Sequence, residues 1–348
     1  MQGRVEGPGH RTRSVKALAC PDHRLSGLPL VETFLNLSLA TVAYLTILLS
    51  TALSANAGVE RIEVPGGTLD VWLEPSHPAP AADAVHRWIE SAARAVVGYY
   101  GVFPVSKTRV LVRWVDGRGV RHGTTYENLS IHLSVGRETE PSDFEDDWVL
   151  THEMIHLAFP TVGRDHNWIH EGLATYVEPI ARAHAGQLPI ERIWADLVHG
   201  LPQGIPGRGD RGLDQTHTWG RTYWGGALFF LLADVEIRER TNNVSGLQDA
   251  LRAIVAAGGT LDAEWEPSRA FQIGDRATGV PVLSELYEKM KATPVHVDLD
   301  RLWVQLGVKP RGAGVVFDDA APLAAVRRAI ASDSLNDKTI RDASSEGN

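Results

Sequence analysis

The stretch THEMIHLAFP, residues 151–160, sets His152 and His156 four residues apart with Glu153 between them. In a helix this spacing puts both imidazoles on one face, one turn apart, within reach of a single metal ion. Glu153 is offset from that face, so it can meet a water that the metal activates without ligating the metal itself. The pattern restricts the fold. One short helix cannot complete an open zinc site, so a second element must bring a third donor to the same face. Taken alone, the motif has a plainer reading as well: two partly buried histidines that share a helix face.

A candidate third donor is Glu171, in NWIHEGLATYVEP (167–179). It follows His156 by fifteen residues, enough for a turn and the start of a second helix packed on the first. Thr175 and Glu178, four and seven residues further on, fall on the face of Glu171, from which they could orient the ligands. For Glu178 a solvated carboxylate is the other reading. Gly172 is costly inside a helix unless another backbone must come close there.

Around this pair the chain divides. Residues 58–140 predict a sheet subdomain. RIEVPGGTLDVWLEP has the alternation and turn of a hairpin, AADAVHRWIESAARAVVGYYG has helical spacing, and TRVLVRWV and LSIHLSVG are strand-like. Residues 141–310 predict a mainly helical subdomain, with the motif helix at the join. Helices are expected near 142–159, 168–185, 190–201, 223–241, 245–257, 282–291 and 299–306. Ser142 and Glu145 have the spacing of a capping box, and Pro160 that of a stop. Residues 311–348 are expected to form a C-terminal extension with a polar, disordered tail.

Three motifs in this order resemble a known family. HExxH followed by W-x-x-E-G-x-A-x-Y, at Trp168 to Tyr176, is similar to the gluzincin branch of the zinc metallopeptidases. This is the peptidase MA-like group that includes thermolysin and the glycyl aminopeptidases. RTYWGGALFFLLADVEIRERTNN (221–243) resembles the Y-x-K-G-A-L helix of the glycyl aminopeptidases, with their D-x-x-I-R run at Asp234 to Arg238. The resemblance covers residues 146–257. It implies an α+β, thermolysin-like zincin fold with one zinc ion on His152, His156 and Glu171. It further implies Glu153 as general base and Tyr223 as hydrogen-bond donor to the oxyanion of peptide hydrolysis. Glu178 matches an acidic residue seven positions after the third ligand in the aminopeptidases.

The sequence also departs from these relatives. The asparagine before E-G is His170, the lysine of Y-x-K-G is Gly225, and the interval from His156 to Glu171 is shorter than in the aminopeptidases. Where the aminopeptidases carry a strand that holds the substrate's amine, this chain has VRHGTTYENLSIHLSVG (120–136). There Gly123, Thr124 and Thr125 could offer backbone to an extended peptide. Glu127 is either an amine anchor or a surface carboxylate. Aminopeptidase and endopeptidase action both stay open. Two further readings are a non-catalytic zinc protein binding peptide or carbohydrate, with Trp219, Tyr223 and Trp224 as an aromatic platform, and a zinc hydrolase of a non-peptide substrate. The intact Glu153 argues against the binding-only reading.

The first 57 residues differ in composition from the rest. Arg4, Arg11, Arg13, Lys16 and Arg24 precede the apolar run 34–53, and Ala55, Asn56 and Ala57 follow in the pattern a signal peptidase accepts. The expectation is export to a periplasmic or extracellular location, or a membrane anchor through 34–53 if the segment is uncut. A true start nearer Leu28 or Val31 would account for the long leader. The single cysteine, Cys20, lies in that leader, which suits a bacterial envelope protein that does without disulfides. Removing the leader's five basic and three acidic residues shifts the formal charge from −9 to −11. With no basic run left, nucleic acid is excluded as a partner. A peptide or protein substrate is the expected one, and nothing in the sequence sets the oligomeric state.

Overall fold

The computed structural model describes residues 59–75 and 82–332. The expected leader, its cleavage point and the polar tail beyond Ser332 lie outside the described residues.

Strands β1 (Glu60–Val64) and β2 (Gly67–Leu73) form the expected hairpin, with Gly66 at φ 89° in its turn. Helix α1 (Ala82–Tyr100) leads to β3 (Lys107–Val115), β4 (Val120–Tyr126) and β5 (Ser130–Gly136). The sheet order is β1-β2-β3-β5-β4. β2, β3 and β5 are parallel, while the outer strands β1 and β4 run antiparallel to their neighbours. Period-two alternation sends Val71, Val110, Val112, Ile131 and Leu133 to one buried face. They share a hydrophobic core with Val85, Ile89 and Val96 of α1. β4 is paired on one side only, so the sheet ends at the strand that carries Gly123, Thr124 and Thr125.

The helical half comprises α2 (Val149–His156), α3 (Asn167–His184), α4 (Ile190–Gly200), α5 (Gly226–Arg240), α6 (Leu247–Ala256), α7 (Pro267–Thr278), α8 (Val282–Met290) and α9 (Leu299–Leu306). Since α1 packs on α2 and α3, and α2 on β4, sheet and helices share one core, and the boundary expected at residue 140 is not a break in packing.

Several expectations are corrected. The motif helix begins at Val149, because the capping box of Ser142 and Glu145 does not form. Pro141–Phe144 is a separate 3-10 turn, and Asp143 instead accepts the Glu140 amide at 2.8 Å. The free amides of Val149 and Leu150 go to the Asp147 carboxylate, at 3.2 and 3.1 Å, which also accepts from the Trp88 indole. The helix ends at His156, before Pro160. Helix α7 is absent from the expected set, since it offers few apolar residues and contains Gly274. Its Asp275 caps α8 through the Leu283 and Ser284 amides. The boundary expected at 310 falls inside strand β6 (Val308–Arg311), which pairs with β7 (Gly314–Phe317), and α10 (Ala324–Ala331) packs on α3 and α5.

The central joint is between α3 and α5. A Cβ on Gly172 would lie 2.3 Å from backbone atoms of Gly226, and one on Gly226 would lie 2.3 Å from the Trp168 carbonyl oxygen. These helices meet backbone to backbone, which explains glycine in the middle of α3. Gly172→Ala is expected to lose about 3 kcal/mol in urea denaturation, because rigid main chain has to give way. A loss under about 0.5 kcal/mol, the scatter of neutral substitutions, would contradict this packing.

Candidate metal centre

Helices α2 and α3 cross so that the three expected donors converge. Nε2 of His152 lies 3.3 Å and Nε2 of His156 3.8 Å from Oε2 of Glu171, and the three donor atoms all lie within 4.8 Å of one another. Ligand atoms of a tetrahedral zinc site, each ~2.1 Å from the ion, stand roughly 3.4 Å apart, so this spacing fits one ion. Two imidazoles and a carboxylate, with no thiolate, form the donor set of an open zinc site. Among the described residues this is the one group of three such side chains placed to hold a metal.

Electrostatics suit ligation. Burial opposes ionisation of Glu171, yet its hydrogen bond with His152 and the nearby imidazoles outweigh that and hold the carboxyl at about 2. Burial pushes the His156 imidazole down, which favours the neutral, ligating form.

Glu153 stands beside the triad and outside it. The Thr125 hydroxyl faces two acceptors of this residue, carboxylate Oε2 at 2.7 Å and the main-chain carbonyl at 2.8 Å. A Cβ on Gly123 would lie 2.6 Å from Cγ of Glu153, so the outer strand reaches the carboxylate only because position 123 is bare. Burial raises the Glu153 carboxyl, against the lowering effects of His156 and of the Thr125 hydrogen bond. Of the three residues expected to bind substrate, Gly123 makes room for Glu153 by lacking a side chain, and Thr125 holds it through its hydroxyl. Thr124 bonds back to the Gly123 carbonyl at 2.7 Å.

Thr175 and Glu178, expected to orient the ligands, lie along a cavity wall shared with His152. Glu178 is paired with Arg182 at 3.0 Å, both buried, and Arg182 also donates to the Glu145 carbonyl. Burial pushes the Glu178 carboxyl up to about 7 despite that guanidinium. Glu178 and Thr175 line a cavity of about 370 Å³ that also reaches His152 and Tyr223. On the other side a smaller cavity, about 230 Å³, is lined by Glu127, Thr125, His156 and Glu171. His170 stands outside the donor group. Its Nε2 lies 3.1 Å from the Pro160 carbonyl, which can only accept, so that nitrogen carries a proton, and burial lowers the imidazole to about 4.

Tyr223 lies in a single π-helical turn, Arg221–Gly225, ahead of α5, where a regular helix is expected from the sequence. Such turns redirect side chains and occur often at functional sites. Its ring lies 6.4 Å from that of His152, and burial together with the nearby Glu171 carboxylate raises its phenol well above the usual range.

The group that fixes this turn escapes sequence reasoning. Nε of Arg221 lies 2.7 Å from Asp210 Oδ2, an ion pair by distance that is not aligned as a hydrogen bond, with side-chain exposures of 4% and 2%. Its Nη1 donates to the Gly204 carbonyl. A Cβ on Gly225 would come 2.9 Å from that nitrogen, so glycine here leaves space for the guanidinium. A basic residue two before Tyr223 and the acid of the GRGD loop were the available signals, but nothing in the spacing pairs them. Arg221→Gln is expected to lose about 3 kcal/mol or more in denaturant titration, since it strands a buried carboxylate. Adding Asp210→Asn should recover part of that loss, and strictly additive losses would show that the two groups do not interact.

No protein-family model and no curated protein matches the chain. Solved structures do. An aminopeptidase N family protein from Idiomarina loihiensis superposes with a TM-score of 0.54 at 14% identity, over 72% of this chain and 49% of that one. An M1 zinc metallopeptidase from Deinococcus radiodurans gives 0.44 at 15% identity, over 68% and 52%. The chain spans about half the length of the structures it matches. What the first match shows is shared architecture: an α+β fold, sheet first and helices after, like that of an aminopeptidase N family protein.

Proposed function

We propose that the protein is a zinc-dependent metallopeptidase that hydrolyses peptide bonds, exported to the cell envelope if the N-terminal segment acts as the sequence suggests. The observation that carries this reading is the position of Glu153. Its carboxylate stands beside, but outside, a complete donor triad, held by the Thr125 hydroxyl at 2.7 Å. A purely structural zinc site has no use for an extra buried carboxylate at that place.

His152, His156 and Glu171 would hold the ion, which when bound supplies Lewis acidity, lowering the pKa of water and polarising a carbonyl. The rest falls to the protein. Glu153 takes the proton of the attacking water and delivers it to the departing amine. Tyr223, presented by its π-turn, donates a hydrogen bond to the oxygen on which charge develops. The unpaired side of β4 offers main-chain groups to an extended peptide. Burial of the site among α2, α3 and β4 strengthens each of these interactions by excluding water.

The aminopeptidase N family name of the first match favours peptide over other hydrolysable substrates. Glu127, on the wall of the smaller cavity, is the group that would receive a substrate's free amine if the enzyme trims from the N-terminus.

The test is the purified, zinc-loaded protein incubated with a mixed peptide library and read by mass spectrometry. Glu153→Gln should keep one zinc per chain and lose at least a hundredfold in rate, and Tyr223→Phe should lose a similar factor in kcat. Zinc-loaded wild type that cuts no peptide, or Glu153→Gln that cuts at the wild-type rate, would refute the reading.

A further inference from the structure

Beside the metal triad, on the side of His152 and Tyr223, lies the 370 Å³ cavity, within the size range of sites that enclose a small ligand. Its mouth is framed by two tryptophans that the proposed chemistry does not use. Trp148 is 52% exposed with its ring edge-on to His152 at 5.5 Å, and Trp219 is 59% exposed and stacked on Tyr223 at 5.6 Å. Large aromatics left open to water while packed on site residues mark a contact surface more often than a fold requirement.

Further in, the wall is Trp224, held in place by a missing side chain. A Cβ on Gly200 would lie 2.1 to 2.4 Å from three atoms of the Trp224 ring, so α4 gives up a side chain to let the indole lie flat against it. The charges along the cavity are largely spent on one another. Glu178 pairs with Arg182, and Arg192 pairs with both oxygens of Asp196 at 2.9 Å. The carboxylate of Asp146, at the exposed edge, disfavours an acidic guest.

From these observations we infer that the cavity is a specificity pocket for a large apolar side chain, aromatic above all, next to the scissile bond. It rests on the peptidase reading for its purpose, and on the cavity's own walls for its chemistry. Tryptophan faces reward apolar and aromatic guests with area and stacking, while the charges within the wall, Asp146 at the exposed edge apart, are paired with one another. A tenfold preference, about 1.4 kcal/mol, is less than burial of one such side chain supplies.

The experiment compares wild type, Trp219→Ala and Gly200→Ala on peptides that differ only in the residues flanking the cut, with phenylalanine, leucine, alanine, lysine or aspartate at each. The wild type should favour phenylalanine over alanine in kcat/KM at least tenfold on one side of the cut. Both variants should lower that ratio several-fold, Gly200→Ala by driving the Trp224 ring into the cavity. No preference, a preference for lysine or aspartate, or variants that slow every peptide equally would overturn the inference. If zinc-loaded wild type cuts nothing, the peptidase reading fails and the pocket is judged by binding. N-acetylphenylalaninamide should then quench tryptophan fluorescence saturably, at least tenfold tighter than N-acetylalaninamide quenches it, with the difference reduced in Gly200→Ala. Equal binding of the two amides would overturn the pocket independently of any activity.

Discussion

The backbone contact between Gly172 and Gly226 fixes the distance on which the site depends. Glu171 precedes one glycine by a single residue and Tyr223 precedes the other by three, so the approach of α3 to α5 also sets the approach of carboxylate to phenol. A methyl group between the helices would meet main chain at 2.3 Å and force the two backbones apart. The same device recurs at the sheet edge, where Gly123 lets β4 touch Glu153, and at Gly200, where α4 admits Trp224. Close approach, bought with missing side chains, arranges the centre.

Around that framework, polar groups are held rather than left free. Thr125 seats Glu153, Asp210 and the Gly204 carbonyl seat Arg221, and Glu178 and Arg182 seat each other. Buried pairs of this kind add little to net stability, but losing one partner is costly, so they resist alternative arrangements. A site that must hold several donors within a few tenths of an ångström gains from such rigidity.

How much of this was legible in the sequence depends on the kind of interaction. The His152, His156 and Glu171 group was readable because helical periodicity turns spacing into direction, and α3 starts within a residue of its expected position. Hairpin and strand alternation was equally plain. The start of α2 was not, because the cap forms further along, where Asp147 accepts the Val149 and Leu150 amides, and propensity does not rank rival cap positions. Nor was Arg221 with Asp210, a pair closed only by the course of an irregular loop. The expectation for Thr125 concerned its backbone, and the bond from its hydroxyl to Glu153 was not legible, because that contact spans 28 residues of chain and depends on how β4 lies over α2.

The most direct measurement is anomalous diffraction at the zinc edge from crystals of the zinc-loaded protein. One ion is expected, ~2.0–2.2 Å from Nε2 of His152, Nε2 of His156 and the Glu171 carboxylate, with its remaining position open toward Glu153. An ion elsewhere, no ion at full loading, or a site closed by a fourth protein ligand would contradict a catalytic metal centre.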